Sequence, residues 1–265
     1  MPPFERAVDA IVSGDIATLR TLLEQHPGLV RERSQRSHRS TLLHYVSANG
    51  VEDDRQKTPP NIVEIARLLL DAGADVAAES EAYGGHSTVL GLAATSCHPE
   101  RAGVQIAMLE LLLERGAVID GADPAATVTG CLHNGRGEAA EFLASHGAKL
   151  DLEGAAGVGR LDIVKSSLPS AAPKQVLAAF AWACEFGRTE VVEFLLDHGV
   201  AVDARVPHHN GTGLHWAAWG GHAETVMLLL TRGAARNLED ETYHGTPAGW
   251  ARYAGHPETA AMLEG

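Results

Sequence analysis

The sequence is poor in cysteine, in aromatic residues and in long apolar runs. Its three cysteines include no Cys-x-x-Cys pair, which favours a reducing compartment. Aromatic residues make up 5% of the chain, as expected for short helices packed closely through Ala and Leu. No apolar run reaches the ~20 residues of a membrane-spanning helix, and the N-terminus lacks the apolar core of a signal peptide. We therefore expect a cytoplasmic protein without a membrane segment.

Positive charge is scarce as well. The chain has 21 Lys and Arg against 34 Asp and Glu, a net charge of −13 at pH 7. Nucleic-acid binding depends on many contacts from Lys and Arg to phosphates, so this balance argues against a nucleic-acid partner. It favours a basic or cationic partner, although a charge of this size also simply keeps a protein soluble.

The common enzyme motifs are missing. There is no GxxxxGK[ST], HExxH or GxSxG sequence, and the glycines of 154–159 have the wrong order for a dinucleotide-binding loop. Histidine is abundant, with 14 residues, but no ligand spacing typical of a metal site occurs, even at the adjacent pair His208 and His209. We expect no metal and no cofactor, favour a non-catalytic protein, and leave the question of an enzyme open.

What the chain does contain is a recurring segment, clearest over 211–234. An apolar run closed by glycine marks its end, at Leu68–Gly73, Leu111–Gly116, Phe142–Gly147, Phe194–Gly199 and Leu228–Gly233. Glycine suits this place because it adopts the left-handed conformation without strain. The step from Gly199 to Gly233 is 34 residues, close to the ~33 of an ankyrin unit. The segment resembles an ankyrin repeat, a β-turn followed by two short antiparallel helices.

The resemblance implies an all-α, ankyrin-repeat solenoid with β-turn connectors that forms a single domain over 1–265. It is strong over 209–265 and weak over 125–174. It resembles a stand-alone repeat array of bacterial type, and we expect a monomer. Terminal units of such an array are atypical because one face meets water. We count eight units, approximately 4–38, 39–83, 84–124, 125–150, 151–174, 175–208, 209–241 and 242–265.

The end of each inner helix is where the resemblance implies contacts with a partner. This row of residues turns aromatic toward the C-terminus, at Phe186, Trp219 and Tyr253. Exposed aromatic side chains supply much of the binding energy of protein interfaces. We therefore predict a partner protein bound on the concave surface, with contacts from Trp219, Tyr253, Phe186, Glu185, His133 and Asn134. A structural role for Trp219, folded over its neighbours, stays open.

A second set of aromatic residues recurs with the repeat. Trp182, Trp216 and Trp250 are spaced by 34 residues and occupy one position of the inner helix. A large apolar side chain at a periodic inward position is normally part of the core. We expect a buried tryptophan ladder along the last units, because neighbouring helices pack ~8–10 Å apart.

Two neighbouring units carry insertions between their helices, at 51–61 and 98–104. Long loops on a rigid scaffold often carry function. The alternative to protein binding is therefore a small-molecule-binding protein or weak enzyme, with a polar site formed by Glu52, Asp53, Asp54, Arg55, His98 and Arg101. The competing interpretation is that both insertions only extend and cap the outer helices.

The unit at 151–174 is the weakest one in the predicted array. It has Ser166 and Ser167 where its neighbours have leucines, and Gly154 at the position of Trp182. Each change removes apolar area, at roughly 25 cal/mol per Å². We predict that backbone amides across 152–172 exchange hydrogen faster than those of 180–196 and 214–230. Equal protection of all three segments would show that packing from the neighbouring units compensates.

Overall fold

The computed structural model describes residues 1–120, 125–207 and 210–265. The predicted unit ends at 124 and 208, together with His208 and His209, lie outside these residues. The predicted all-α repeat fold is confirmed, since helical hairpins follow one another along the chain. They group into two compact units, 1–148 and 149–265, which we describe separately. The eight-unit count and the single continuous array stay predictions.

The first compact unit combines α-helices with short 3-10 helices. The inner helix at Leu42–Ser47 is a 3-10 helix rather than an α-helix. Three further 3-10 helices are Pro27–Arg31, Asp53–Arg55 and Ala82–Gly84. One β-turn connector is a small antiparallel hairpin of β1 Glu79–Ser80 and β2 Ser87–Thr88, with Glu79 opposite Thr88. The α-helices are α1 Pro3–Ser13, α2 Ile16–Gln25, α3 Ile62–Asp71, α4 Val89–Thr95, α5 Cys97–Arg101, α6 Gln105–Glu114, α7 Ala126–His133 and α8 Gly137–Ser145.

The second compact unit is more regular. Its core is built mainly from Ala, Val and Leu, with Phe180 and Cys184 also fully buried. A 3-10 turn at Leu168–Ser170 follows the second of its helices. The α-helices are α9 Leu152–Gly157, α10 Leu161–Ser167, α11 Pro173–Glu185, α12 Thr189–Asp197, α13 Gly213–Trp219, α14 Ala223–Thr231, α15 Pro247–Tyr253 and α16 Pro257–Glu264.

The glycines that close the apolar runs behave as the sequence predicts. Gly73, Gly116, Gly147, Gly199 and Gly233 all have φ between 91° and 100°. An L-residue with a side chain is strained in this left-handed region, and glycine is not. Each glycine therefore ends an outer helix and turns the chain toward the next repeat.

A histidine side chain organises two of the connecting turns. The backbone N–H of Thr212 donates to Nδ1 of His215 (3.1 Å), and that of Thr41 donates to Nδ1 of His44 (3.2 Å). Because Nδ1 accepts, Nε2 carries the proton. Nε2 then lies 3.1 Å from the carbonyl of Gly245 for His215 and 3.3 Å from that of Ser87 for His44. Each imidazole thus ties its own turn to the backbone of the following repeat.

These contacts make the stability of the first compact unit depend on pH. Burial lowers the pKa of His44 to about 4, against about 6.5 for an unfolded histidine. Between pH ~4 and pH ~6.5, His44 therefore binds a proton in the unfolded chain but not in the folded one. The contribution of His44 to stability is complete above pH ~6.5 and is lost as the pH falls toward ~4, by up to about 1.4 kcal/mol per pH unit.

We predict that the His44→Asn variant loses less stability than the parent chain between pH 7 and pH 5. The measurement is urea unfolding followed by far-ultraviolet circular dichroism at both pH values. His215 and His222 remain in both proteins, so their contributions cancel in the comparison. The same pH dependence in the two proteins would contradict the prediction.

Candidate binding grooves

Five aromatic side chains meet at one groove in the second compact unit. Four come from inner helices, Trp216 and Trp219 from α13, and Trp250 and Tyr253 from α15. Residues three apart share one face of a helix, so each pair points the same way. Tyr243 enters from the turn that precedes α15. The groove has a volume of about 580 Å³, and its lining is completed by Gly245 and Gly249.

The rings pack in a fixed arrangement. The planes of Trp216 and Trp219 stand at 87° and 77° to the plane of Trp250, with centroids 5.1 and 6.1 Å from its centroid. Trp219 stacks on Tyr253 with centroids 5.9 Å apart. Edge-to-face and offset-stacked pairs at such distances are the favoured arrangements of aromatic rings. Trp250 is 8% exposed, whereas Trp219 is 36% and Tyr253 is 85% exposed. Trp250 therefore forms the buried floor of the groove, and Trp219 and Tyr253 form its accessible sides.

The buried carboxylate of Asp240 holds this floor in place. Its Oδ2 accepts hydrogen bonds from the indole N–H of Trp250 and the backbone N–H of Gly245, both at 2.9 Å. Its Oδ1 accepts from the backbone N–H of Tyr243 at 2.6 Å. Burial alone would raise the pKa of Asp240, but these donors outweigh it and hold the pKa at about 2. Asp240 is therefore ionised at neutral pH.

A glycine opens the groove beside this turn. Gly249 stands where the preceding repeat has His215, three residues after the turn threonine. The turn is closed without an imidazole, because the N–H of Gly249 donates to Oγ1 of Thr246 (3.2 Å). The nearest atom to a Cβ built on Gly249 is that same Oγ1, at 3.5 Å. The space that an imidazole would fill is thus part of the groove.

The structure brings together only some of the predicted contact residues. Trp219 and Tyr253 line the groove. Phe186 is half-buried and packs on Trp182, with centroids 6.0 Å apart. Glu185 is half-buried, and burial raises the pKa of its carboxyl group to about 7. The part of each residue in binding stays a prediction.

The tryptophan ladder is only partly core. Trp182 and Trp250 are buried as expected, at 6% and 8% exposure. Trp216 is half-buried and lines the groove instead. Sequence reasoning missed Trp216 and Tyr243 as groove residues. Tyr243 lies two residues before Gly245, in the turn that Asp240 holds. The sequence does not show that this turn folds over Trp250.

The remaining predicted contact residues belong to the first compact unit. His133 and Asn134 are exposed at the end of α7. The Nδ1 atom of His133 lies 2.8 Å from the carbonyl oxygen of Thr129. The side-chain amide of Asn134 donates to the carbonyl of Gly130 at 2.8 Å. Both side chains are thus tied back to their own helix.

A second groove, of about 490 Å³, lies in this first unit and is mainly polar. It contains Gln56 from the first insertion together with His98 and Arg101 from the second, so the two insertions meet as predicted. Arg136 adds another guanidinium, which is paired with Glu100. The other lining residues are Ala48, Asn49, Tyr83, Thr95, Ser96, Cys97 and Asn134.

The charged residues of the first insertion point elsewhere. Arg55 pairs with Glu5 (2.7 Å) and Asp9 (3.2 Å) of α1. Glu52 pairs with Arg36 and lies 3.4 Å from Nε2 of His38. The structure therefore does not bring Glu52 and Arg55 to His98 and Arg101.

The other two acidic residues of this insertion are exposed. Asp53 accepts a hydrogen bond from the side chain of Gln56 (3.3 Å). Asp54 follows it in the same 3-10 turn, Asp53–Arg55. The six residues predicted as one site are thus divided, because the carboxylates of α1 attract Arg55.

No cluster of three or more His, Cys, Asp or Glu residues in the described ranges could hold a metal ion. None of the helices described is both long and apolar enough to cross a membrane.

Comparison with known proteins identifies the repeat. The model of ankyrin repeats, in three copies, matches residues 152–240, which include α9 to α14. No curated protein matches the chain. The matched region contains Gly199, Gly233 and the Thr212–His215 turn described above. Residues 152–240 are therefore ankyrin repeats.

Proposed function

We propose that the chain is a non-catalytic scaffold that captures a partner protein in the aromatic groove of its second compact unit. Ankyrin repeats are protein-interaction domains in general. The observation that carries the proposal is the accessible Trp219–Tyr253 stack above the buried Trp250. Contiguous exposed aromatic surface of this kind marks interaction sites, and Trp and Tyr dominate binding energies.

The groove is preorganised for binding. Asp240 fixes Trp250 and the Tyr243 turn, and the rings of Trp216 and Trp219 pack against Trp250. Side chains already held in place lose little rotamer freedom when a partner binds. The entropic cost of binding a partner in this groove is therefore low.

The charge of the chain favours a basic partner. The net charge is −13, and the run Glu239-Asp240-Glu241 directly precedes the Tyr243 turn. Complementary charge speeds association and discriminates between partners. We propose that the partner lies along the concave surface of the inner helices. Of the other predicted contact residues, Glu185 and Phe186 would contact the edge of the partner. His133 and Asn134 are proposed contacts in the first unit.

We also propose a cellular setting. The free cysteines Cys97, Cys131 and Cys184 fit a reducing compartment, which supports a cytoplasmic location. We propose a monomer, in which the aromatic groove is left open for a different protein.

We predict that a Trp219→Ala, Tyr253→Ala double variant stays folded and no longer captures the partner. Both side chains are accessible, so their removal costs the fold little. The measurement is a pull-down with immobilised protein, with the captured proteins quantified by mass spectrometry. Loss of two interface aromatics is expected to weaken capture by at least ~10-fold.

Met227→Ala is the matched control, because Met227 is 51% exposed on α14 and does not line the groove. It should capture the same proteins as the parent chain. Thermal unfolding must show that all three proteins are folded. Unchanged capture by the double variant would rule out this groove as the binding site.

The polar groove of the first unit supports a second candidate function. We propose that it binds a small anionic molecule, because Gln56, His98 and Arg101 converge there from the two insertions. Arg101 is exposed, and guanidinium groups bind carboxylates and phosphates in two-point contacts. Of the six residues expected at the insertion site, only His98 and Arg101 line this groove.

Native mass spectrometry tests this second candidate. We expect a copurifying small molecule on the parent protein that is lost from the Arg101→Ala variant. Arg67→Ala, which removes an exposed arginine of α3, should retain it. Protein that carries no ligand, or a ligand that survives Arg101→Ala, would argue against this candidate.

A further inference from the structure

The aromatic groove is unusual in its chemistry. Its seven lining residues are three tryptophans, two tyrosines and two glycines. None of these side chains carries a charge at neutral pH. The groove therefore offers an occupant aromatic faces and edges rather than ionic partners.

Such faces attract cations. The π-system of an aromatic ring is negative over its face, and a cation within ~6 Å of the centroid is stabilised, most strongly by Trp. The centroids of Trp216 and Trp219 lie 5.1 and 6.1 Å from that of Trp250. A cation in the groove can therefore lie within this range of several rings at once.

The charges around the groove reinforce this preference. The carboxylate of Asp240 lies at the edge of the Trp250 ring and accepts its indole N–H (2.9 Å). A hydrogen bond to a carboxylate raises the electron density of the indole ring, and the negative charge itself attracts a cation to the groove. The flanking Glu239 and Glu241 are exposed, at 60% and 59% of the side chain.

Among the described residues, the basic side chains near the groove are buried or lie close to a carboxylate. His215 lies 5.2 Å from Trp250, centroid to centroid, and burial lowers its pKa. Arg252 on α15 is paired with Glu264. Arg205 lies 4.0 Å from Glu241, and His244 lies 4.0 Å from Glu239. The negative charge of Asp240 behind the uncharged lining is therefore not cancelled by these groups.

We infer that the aromatic groove receives an arginine side chain of the partner protein. The inference rests on the function proposed above and names the anchor of that partner. Arginine fits better than lysine because its planar guanidinium stacks on aromatic faces and is less strongly hydrated than an ammonium group. An uncharged apolar side chain would bury similar area but would gain nothing from Asp240 or from the ring faces.

Two small probes that differ in charge test the inference. N-acetyl-arginine methylamide and N-acetyl-citrulline methylamide have nearly the same shape, but only the first is cationic. The measurement is tryptophan fluorescence during titration at constant, physiological ionic strength, where attraction to distant charges is screened. We expect the arginine probe to bind at least ~5-fold more tightly, the size expected for a partly desolvated cation–π contact.

Two leucine variants separate the ring effect from the charge of the protein. Trp219→Leu and Tyr253→Leu retain apolar volume and net charge but remove an aromatic face. Each should lower the preference for arginine over citrulline. Phe186→Leu removes an aromatic residue that does not line the groove and should preserve the preference.

The outcomes distinguish this inference from the proposed function. Equal affinity for the two probes, or no binding of either up to tens of millimolar, would overturn the arginine anchor. A preference that both leucine variants retain would overturn it as well. Loss of partner capture by the Trp219→Ala, Tyr253→Ala variant would still support the groove as a protein-binding site in each of these cases. If that variant captures the partner normally, the proposed function itself fails.

Discussion

Every repeat in this chain is built from helices that are too short to stand alone. The helices described have at most 13 residues, and isolated helices shorter than ~12–15 residues are marginal in water. Each must therefore bury its apolar face against a neighbour. The second unit shows the result in Ala179, Ala183, Ala217 and Ala251 of the inner helices, which are 0% exposed. Small side chains let these helices approach closely.

This constraint also determines how the repeats are joined. Left-handed glycines such as Gly199 and Gly233 end the outer helices. The imidazole of His215 then connects its turn to the backbone of the following repeat through Gly245. At the next turn Gly249 replaces the histidine, and Asp240 takes over the task of ordering the backbone. Gly249 itself lines the groove.

The sequence predicted the fold better than it predicted the site. The glycine-terminated apolar runs are local signals, because one residue must adopt a positive φ, and they located the ends of these helices correctly. Trp219 and Tyr253 could be selected from their position at the ends of inner helices. Tyr243 and Gly249 could not, because their importance depends on how the turn folds over Trp250.

The insertions show the same limit. Arg55 was expected to face the second insertion, but its partner Asp9 lies 46 residues away in sequence and no local pattern connects the two. Ion pairs between distant segments depend on the fold. Gln56, the neighbour of Arg55, reaches the polar groove instead. The family match covers 152–240, so α15 and its aromatic residues are assigned to a repeat by their geometry.

If the groove between α13 and α15 is the binding site, the four tryptophans report on it directly. Each gives one indole N–H signal in a ¹H–¹⁵N correlation spectrum. Trp216, Trp219 and Trp250 line the groove, whereas Trp182 lies elsewhere and packs on Phe186. When N-acetyl-arginine methylamide is added, we predict shifts of the signals of Trp216, Trp219 and Trp250 and a constant signal for Trp182. Shifts of equal size at all four tryptophans, or a shift of Trp182 alone, would contradict this prediction.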